Sequence, residues 1–323
     1  MKGLLDRWET LCASSAILRF VDVNLRGAGQ VMFQDNPLSG LLFIIAIGWG
    51  SYAGGVPQVA IGGLVALVSG TLAAYWLRVD RDALRAGLYG FNAYLVGLAL
   101  PTFLAPSPLL WACVAFGGAV SVVATLAITN QFKTWGVSAL TAPFVLVAWL
   151  MLLGSYAFAG LEVSALPISS LVTAIDPSAA NPLRFGDFLQ GVLQSISQVF
   201  LKGNGFAAVL LILGLALNSV AAAVFAVLGA AVAVVTAHVL GAESELITGG
   251  LLGFSPVLTA IALGSVFYKP GPRVVIYALV GTVFTVIVQG AMNMALTPFG
   301  VPTLTGPFIL VTWLFLLPRL QFK

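Results

Sequence analysis

The chain has 323 residues, of which 60% are hydrophobic and 8% charged, with a formal net charge of +3 and a mean hydropathy of +1.05. Soluble domains carry about 25% charged residues, so no water-soluble fold hides this much apolar surface and the solvent is lipid. Two cysteines, Cys12 and Cys113, give no disulfide framework, and no basic patch with interleaved aromatics suggests nucleic acid.

Residues 1–26 mix charges with short apolar runs and lack a cleavable signal pattern. They predict a retained amphipathic segment on the cytoplasmic membrane surface. Residues 27–35 are too few to cross and read as a re-entrant half-helix. Asn36-Pro37 predicts a helix start, with Asn as N-cap and Pro at the first helical position. A crossing needs about 20 apolar residues. Candidates in the first half lie near 37–54, 57–77, 88–104, 109–130 and 138–160. Gly50-x-x-x-Gly54 predicts close helix packing. Residues 161–188, with Pro167, Pro177 and Pro182, form an external linker. A second short stretch, 190–203, is the other candidate half-helix. Further crossings lie near 204–218, 219–240, 249–267, 273–295 and 303–318. The uncharged run from Gly205 to Leu240 is too long for one crossing and is divided at Asn218-Ser219. The expected units are therefore 1–26, a first transmembrane repeat over 27–160, the linker 161–188 and a second repeat over 189–323.

The two halves share motifs in the same order. Leu140-Thr141-Ala142-Pro143-Phe144-Val145-Leu146-Val147-Ala148-Trp149-Leu150 returns 164 residues later as Leu304-Thr305-Gly306-Pro307-Phe308-Ile309-Leu310-Val311-Thr312-Trp313-Leu314, identical at eight of eleven positions. Gln30-Val31-Met32-Phe33 with Asn36 matches Gln198-Val199-Phe200-Leu201 with Asn204, at a spacing of 168. Leu88-Tyr89-Gly90-Phe91 leading to Leu95 matches Leu251-Leu252-Gly253-Phe254 leading to Leu258, at 163. Five crossings per unit is an odd number, so the second unit enters from the opposite side as an inverted repeat. The expected fold is an all-α polytopic membrane protein with ten transmembrane helices and two re-entrant half-helices in two inverted five-helix repeats.

Charge placement supports that count. One face receives 12 of the 14 basic residues, including Lys2, Arg78, Arg81, Arg85 and Lys323, whereas the other receives only Arg184 and Lys202. The basic face is cytoplasmic by the positive-inside rule, which puts both termini inside.

Each Leu-Thr-x-Pro-Phe motif lies in apolar sequence, where proline breaks or kinks a helix and broken backbone is tolerated if it lines a cavity or is buried in protein. Corresponding breaks in two inverted halves place the Thr141 and Thr305 hydroxyls near the midplane; the alternative is that each bonds back to its own helix. Gln30 and Gln198 offer neutral amides beside the short segments, or caps. Phe91 and Phe254 narrow a pore into a flat slot, or simply pack. The acidic residues, including Asp35, Glu162, Glu243 and Glu245, fall at predicted ends or loops. His238, the single histidine, reads as a packed or interfacial residue. No metal cluster, phosphate-binding loop or nucleophile–base pair is evident, so neither a cofactor nor an enzyme is implied. An uncharged pathway suits a small neutral polar solute.

Gln30-Val31-Met32-Phe33 followed by Asn36-Pro37-Leu38-Ser39-Gly40, then Gly87-Leu88-Tyr89-Gly90-Phe91-Asn92-Ala93, then the doubled Leu-Thr-x-Pro-Phe, resemble the urea transporter family over nearly the whole chain. The likeness implies a multi-pass protein of the inner membrane, a homotrimer with one pore per protomer, and passive, channel-like conduction of urea. It implies a slot formed by Val31, Phe33, Phe91 and Leu95 from one half and Val199, Leu201, Phe254 and Leu258 from the other. Gln30 and Gln198 would supply oxygens near the two mouths, and Thr141 and Thr305 would mark the central constriction, forming a selectivity filter. Leu201 stands where the first half has Phe33, and some bacterial relatives carry Glu at the position of Gln198. The alternatives are an ion- or proton-coupled carrier, a channel for ammonia, water or short amides, and a membrane amidase, which would need a nucleophile and base not found here.

Overall fold

A computed structural model describes residues 2–172 and 181–322. Pro177 of the linker, Lys323 and the Lys2 side chain lie outside the described residues. The fold is all helical, without a strand among the described residues; one isolated β-bridge joins Leu104 to Val163.

The N-terminal segment forms α1 (Lys2–Ser14) and α2 (Ala16–Gln30), divided at Ser15, whose hydroxyl accepts from Leu18 N. Helix α2 thus runs through Arg26, across the 26/27 junction. Asn36 caps α3 (Pro37–Ala53), its Oδ1 accepting from Leu38 N at 2.9 Å. Then come α4 (Pro57–Trp76), α5 (Arg81–Arg85), α6 (Phe91–Phe103), α7 (Pro108–Phe132) and α8 (Ala142–Ser155). The second half repeats the order with α9 (Phe185–Ser197), α10 (Gly205–Asn218), α11 (Val220–Val239), α12 (Ser244–Thr248), α13 (Phe254–Ile261), α14 (Pro272–Leu296) and α15 (Gly306–Leu316). The uncharged run divides at Ser219, which is extended (φ −145°, ψ 102°) and caps α11 by accepting from Ala222 N.

Four helical stretches are long and apolar enough to cross a membrane: Pro57–Trp76, Pro108–Trp135, Val220–Val239 and Pro272–Phe299. Phe185–Phe200 and Gly205–Asn218 form a further pair bent by 72°. The other expected crossings are shorter than their apolar runs. Residues 88–104 and 249–267 begin as turns, so α6 and α13 start only at Phe91 and Phe254. Helices α8 and α15 start after Leu140 and Leu304, which adopt left-handed backbone at φ 53° and 50°. Pro143 and Pro307 therefore sit in the first helical turn, where a missing N–H costs nothing. They start these helices and do not kink them.

The repeat is visible in the backbone. Phe33 and Leu201 are left-handed at φ 62° and 58°, Gly87 and Gly250 at 76° and 71°, and Gly136 and Gly300 at 65° and 61°. Close packing depends on missing side chains at a few points. A Cβ on Gly40 would meet the Leu25 carbonyl oxygen at 1.7 Å, so α2 and α3 touch backbone to backbone. Gly50 makes only ordinary contact with Asn204 and Ala207 across α10, while Gly54 ends α3 by donating to Gly50 O.

Candidate functional site

The two halves meet through reciprocal contacts. Trp149 Nε1 donates to Pro302 O at 2.8 Å, and Trp313 Nε1 donates to Ser138 O at 2.9 Å. Each partner is the other's counterpart, 164 residues away. Asn36 Nδ2 reaches Asn218 Oδ1 at 3.4 Å, and the counterparts of these residues, Asn204 and Gly50, face each other too. Two contacts whose members are each other's counterparts mark a local two-fold relation.

Thr141 and Thr305 lie on that relation. Their hydroxyl oxygens are 2.7 Å apart, and both residues are buried, each about 3% exposed. Neither hydroxyl caps its own helix, although each residue occupies the N-cap position. The hydroxyls bond each other, and not their own helices. One donates and the other accepts, which leaves one O–H and several lone pairs for a third group.

The two glutamines are also held alike. Gln30 Nε2 donates to Ala86 O at 2.8 Å, and Gln198 Nε2 donates to Gly249 O at 3.2 Å. Ala86 and Gly249 close the short helices α5 and α12, whose terminal carbonyls need donors. Because the partner is a carbonyl, only the NH2 can face it, so each Oε1 is turned the other way as an acceptor.

A cavity of about 520 Å³ brings Gln198, Leu201 and Phe254 together with Leu304, the neighbour of Thr305. Linker residue Pro167 is part of its lining. Phe91 and Phe254 are the first residues of α6 and α13, and neither forms a close ring pair among the described residues. Phe33 instead lies edge-on to Phe267 at 6.1 Å and to Phe308 at 6.2 Å, which joins the first half to the second. Val31, Leu95, Val199 and Leu258 are buried in the main hydrophobic core.

Sequence reasoning missed Thr102, Phe103, Gln289, Asn293 and Thr303 on the cavity wall. Gln289 and Asn293 stand one turn apart on α14. Gln289 Nε2 donates to Thr303 Oγ1 at 2.6 Å and to Asn293 Oδ1 at 3.1 Å, while its buried Oε1 has no partner. Two amides at i, i+4 in an apolar span were the available signal. On the first-half side, Asn92 ties α6 to the start of α8. It accepts from Phe144 N at 3.2 Å and donates to Leu140 O at 3.4 Å.

Residues 21–320 match the family model described as urea transporter. The chain belongs to the urea transporter family. It is similar to Urea transporter 1 of Ovis aries and of Capra hircus, each 30% identical over 307 residues that cover 93% of this chain and 77% of the relative. Urea transporter 1 of Rattus norvegicus is 30% identical over 306 residues, with the same coverage. Family membership makes this a multi-pass membrane protein and a transport protein, not an enzyme. No group of three or more His, Cys, Asp or Glu that could hold a metal occurs among the described residues. No acidic residue occurs in α3, α4, α6, α7, α8, α10, α11, α13, α14 or α15.

Proposed function

We propose that the protein conducts urea passively, down its gradient, through a narrow pore within each protomer of a homotrimer. Ten crossings and two re-entrant half-helices, in two inverted repeats, span the inner membrane with both termini cytoplasmic. The observation that carries this reading is that corresponding uncharged groups of the two halves converge. The Thr141 and Thr305 hydroxyls bond each other, and Gln30 and Gln198, each held through Nε2, would offer carbonyl oxygens on either side of that pair in the pore.

Urea is flat, neutral and rich in N–H donors. Stripping its water costs several kcal/mol unless other acceptors replace it. Glutamine oxygens followed by threonine hydroxyls offer that replacement in steps. Phe33 and Phe91 on one side, with Leu201 and Phe254 on the other, keep the cross-section flat. Val31, Leu95, Val199 and Leu258 support those walls from behind. Each contact is weak, as fast conduction requires. With no acidic group in these helices, no carboxylate is there to hold a coupling cation or relay a proton.

Stopped-flow measurement of urea entry into proteoliposomes tests the proposal. Entry faster than in empty liposomes, unchanged when ion gradients are collapsed and reduced by thiourea or dimethylurea, is expected. Entry abolished by ionophores would replace the channel with a coupled carrier.

A further inference from the structure

The repeat supplies an internal control for a second site. In the first half, Arg19, Tyr75, Arg78, Arg81, Leu84 and Arg85 line a concavity of about 620 Å³ at the end of α4. In the second half a concavity of about 240 Å³ occupies the same place, lined by Asp187, His238, Ser244, Ile247 and Thr248. Asp187 is the counterpart of Arg19, His238 of Tyr75, Ser244 of Arg81 and Thr248 of Arg85. The backbone therefore builds this hollow without arginine, and only the first half lines it with four.

The backbone at Arg78 supports the same conclusion. Arg78 is left-handed at φ 52°, a conformation that crowds any Cβ. Its counterpart is Gly241, at φ 76°. The turn itself asks for glycine. An arginine kept there at a steric cost points to its side chain.

Nearby acids offset the cluster only in part, two carboxylates (Asp80 and Asp82) standing beside four arginines. Asp80 caps α5 by accepting from Ala83 N at 2.9 Å. Asp22 accepts from Trp8 Nε1 and from Arg26 Nε. Asp82 comes only within 3.9 Å of Arg85. Arg19 donates to Cys12 O and Ala13 O, and Arg19, Arg78 and Arg81 form no ion pair among the described residues.

An exposed aromatic at the end of α4 argues for a hollow at headgroup level. Trp76 is 81% exposed at the last turn of the long apolar α4, as expected of an interfacial aromatic. Exposed Leu72 lies one turn deeper, where acyl chains would run. Guanidinium groups match phosphate oxygens in planar, two-pronged hydrogen bonds, and basic hollows between membrane helices suit anionic headgroups. We propose that the Arg19–Arg78–Arg81–Arg85 concavity binds the phosphate of an anionic membrane lipid. The site is separate from the pore and does not rest on the identity of the transported solute.

The test is thermal unfolding of the purified protein, with lipid affinity read by native mass spectrometry. Phosphatidylglycerol, phosphatidylcholine and inorganic phosphate are the three additions. The variant carries Arg78→Gly, Arg81→Ser and Arg85→Thr, copied from the second half. The parent should be stabilised by phosphatidylglycerol more than by phosphatidylcholine, and not by inorganic phosphate. The variant should fold, resist heat in phosphatidylcholine at least as well as the parent, and lose affinity for phosphatidylglycerol by about fivefold per arginine removed. If it does not fold, the Arg81→Gln, Arg85→Gln pair gives the same readout without altering the Arg78 turn. Equal response to both lipids, an equal effect of inorganic phosphate, or undiminished phosphatidylglycerol binding by the folded variants would overturn the proposal.

Discussion

Thr141 Oγ1 lies 2.7 Å from Thr305 Oγ1, so each buried hydroxyl has its own counterpart as partner. A change to valine keeps the shape and removes one hydroxyl, leaving the other buried without that bond. Thr141→Val and Thr305→Val should each lower stability by about 1–3 kcal/mol and slow urea entry. The double variant has no orphaned hydroxyl, so it should regain stability relative to the sum of the singles while entry stays slow. Denaturation and stopped-flow measurements on the three proteins check this. Entry at the parental rate in folded variants would remove the pair from the barrier.

Gln30 and Gln198 are each tied through Nε2 to a helix-ending carbonyl. Glutamate cannot donate when ionised, and its oxygens would face that carbonyl. Gln30→Glu and Gln198→Glu should therefore release the side chain and change entry at neutral pH, with recovery as the carboxyl is protonated at lower pH. Gln30→Leu, which lacks both donor and acceptor, should slow entry at every pH. A flat pH response of the glutamate variants, measured by flux between pH 4 and pH 8, would count against the anchored-amide geometry.

The cap at Asn36 and the break at Asn218-Ser219 were readable because a polar side chain in an apolar run has few roles besides starting or ending a helix. That Thr141 and Thr305 come near the same depth followed from the doubled motif in two inverted halves, whereas the bond between their hydroxyls did not, since each could equally have bonded to its own helix. The starts of α6 and α13 were not readable. Leu88-Tyr89-Gly90 and Leu251-Leu252-Gly253 are as apolar as the helices they precede, and hydropathy does not separate a turn packed against protein from a helix in lipid. Left-handed leucines at 140 and 304 carry no composition signal either. Gln289 escaped notice because its counterpart is Thr125, so the repeat did not flag it.

Trp149 and Trp313 hold the halves together by exchanged bonds to Pro302 O and Ser138 O. Phenylalanine keeps most of the ring and removes the N–H. Trp149→Phe and Trp313→Phe should each cost about 0.5–1.5 kcal/mol, plus the penalty of an unpaired carbonyl where it is shielded from water. The loss should be larger at Trp149, whose bond to Pro302 O is part-buried, than at Trp313, whose bond to Ser138 O is exposed. Thermal unfolding checks this; a larger cost at Trp313 would overturn the shielding argument.

Gly40→Ala should be the most disruptive single methyl. Its Cβ would lie 1.7 Å from Leu25 O, a backbone atom with no rotamer by which to yield. Helices α2 and α3 would have to separate, opening the packing that carries Gln30 and Phe33. The variant should be poorly folded, or folded with greatly reduced urea entry. Gly48→Ala, where no atom lies within 4 Å of the added carbon, is the control and should be neutral. Size-exclusion profiles and flux distinguish the two.

Asn92 and Thr125 are linked in the first half, Asn92 Nδ2 lying 3.4 Å from Thr125 Oγ1. Their counterparts are Ser255 and Gln289, whose Oγ and Oε1 are both buried and without partners. A large amide and a small hydroxyl group are present in both halves, but on opposite helices, so total volume is nearly kept. Ser255→Asn alone should overfill the site beside Gln289, and Gln289→Thr alone should leave a void. Together they copy the first-half pair, so the new amide would face Leu304 O and Phe308 N as Asn92 faces Leu140 O and Phe144 N. The double variant should therefore be more stable than the sum of its parts by about 1 kcal/mol or more, as read by denaturation. Simple additivity would mean that the two positions act independently, and that Gln289 Oε1 is left open for a reason unrelated to Ser255.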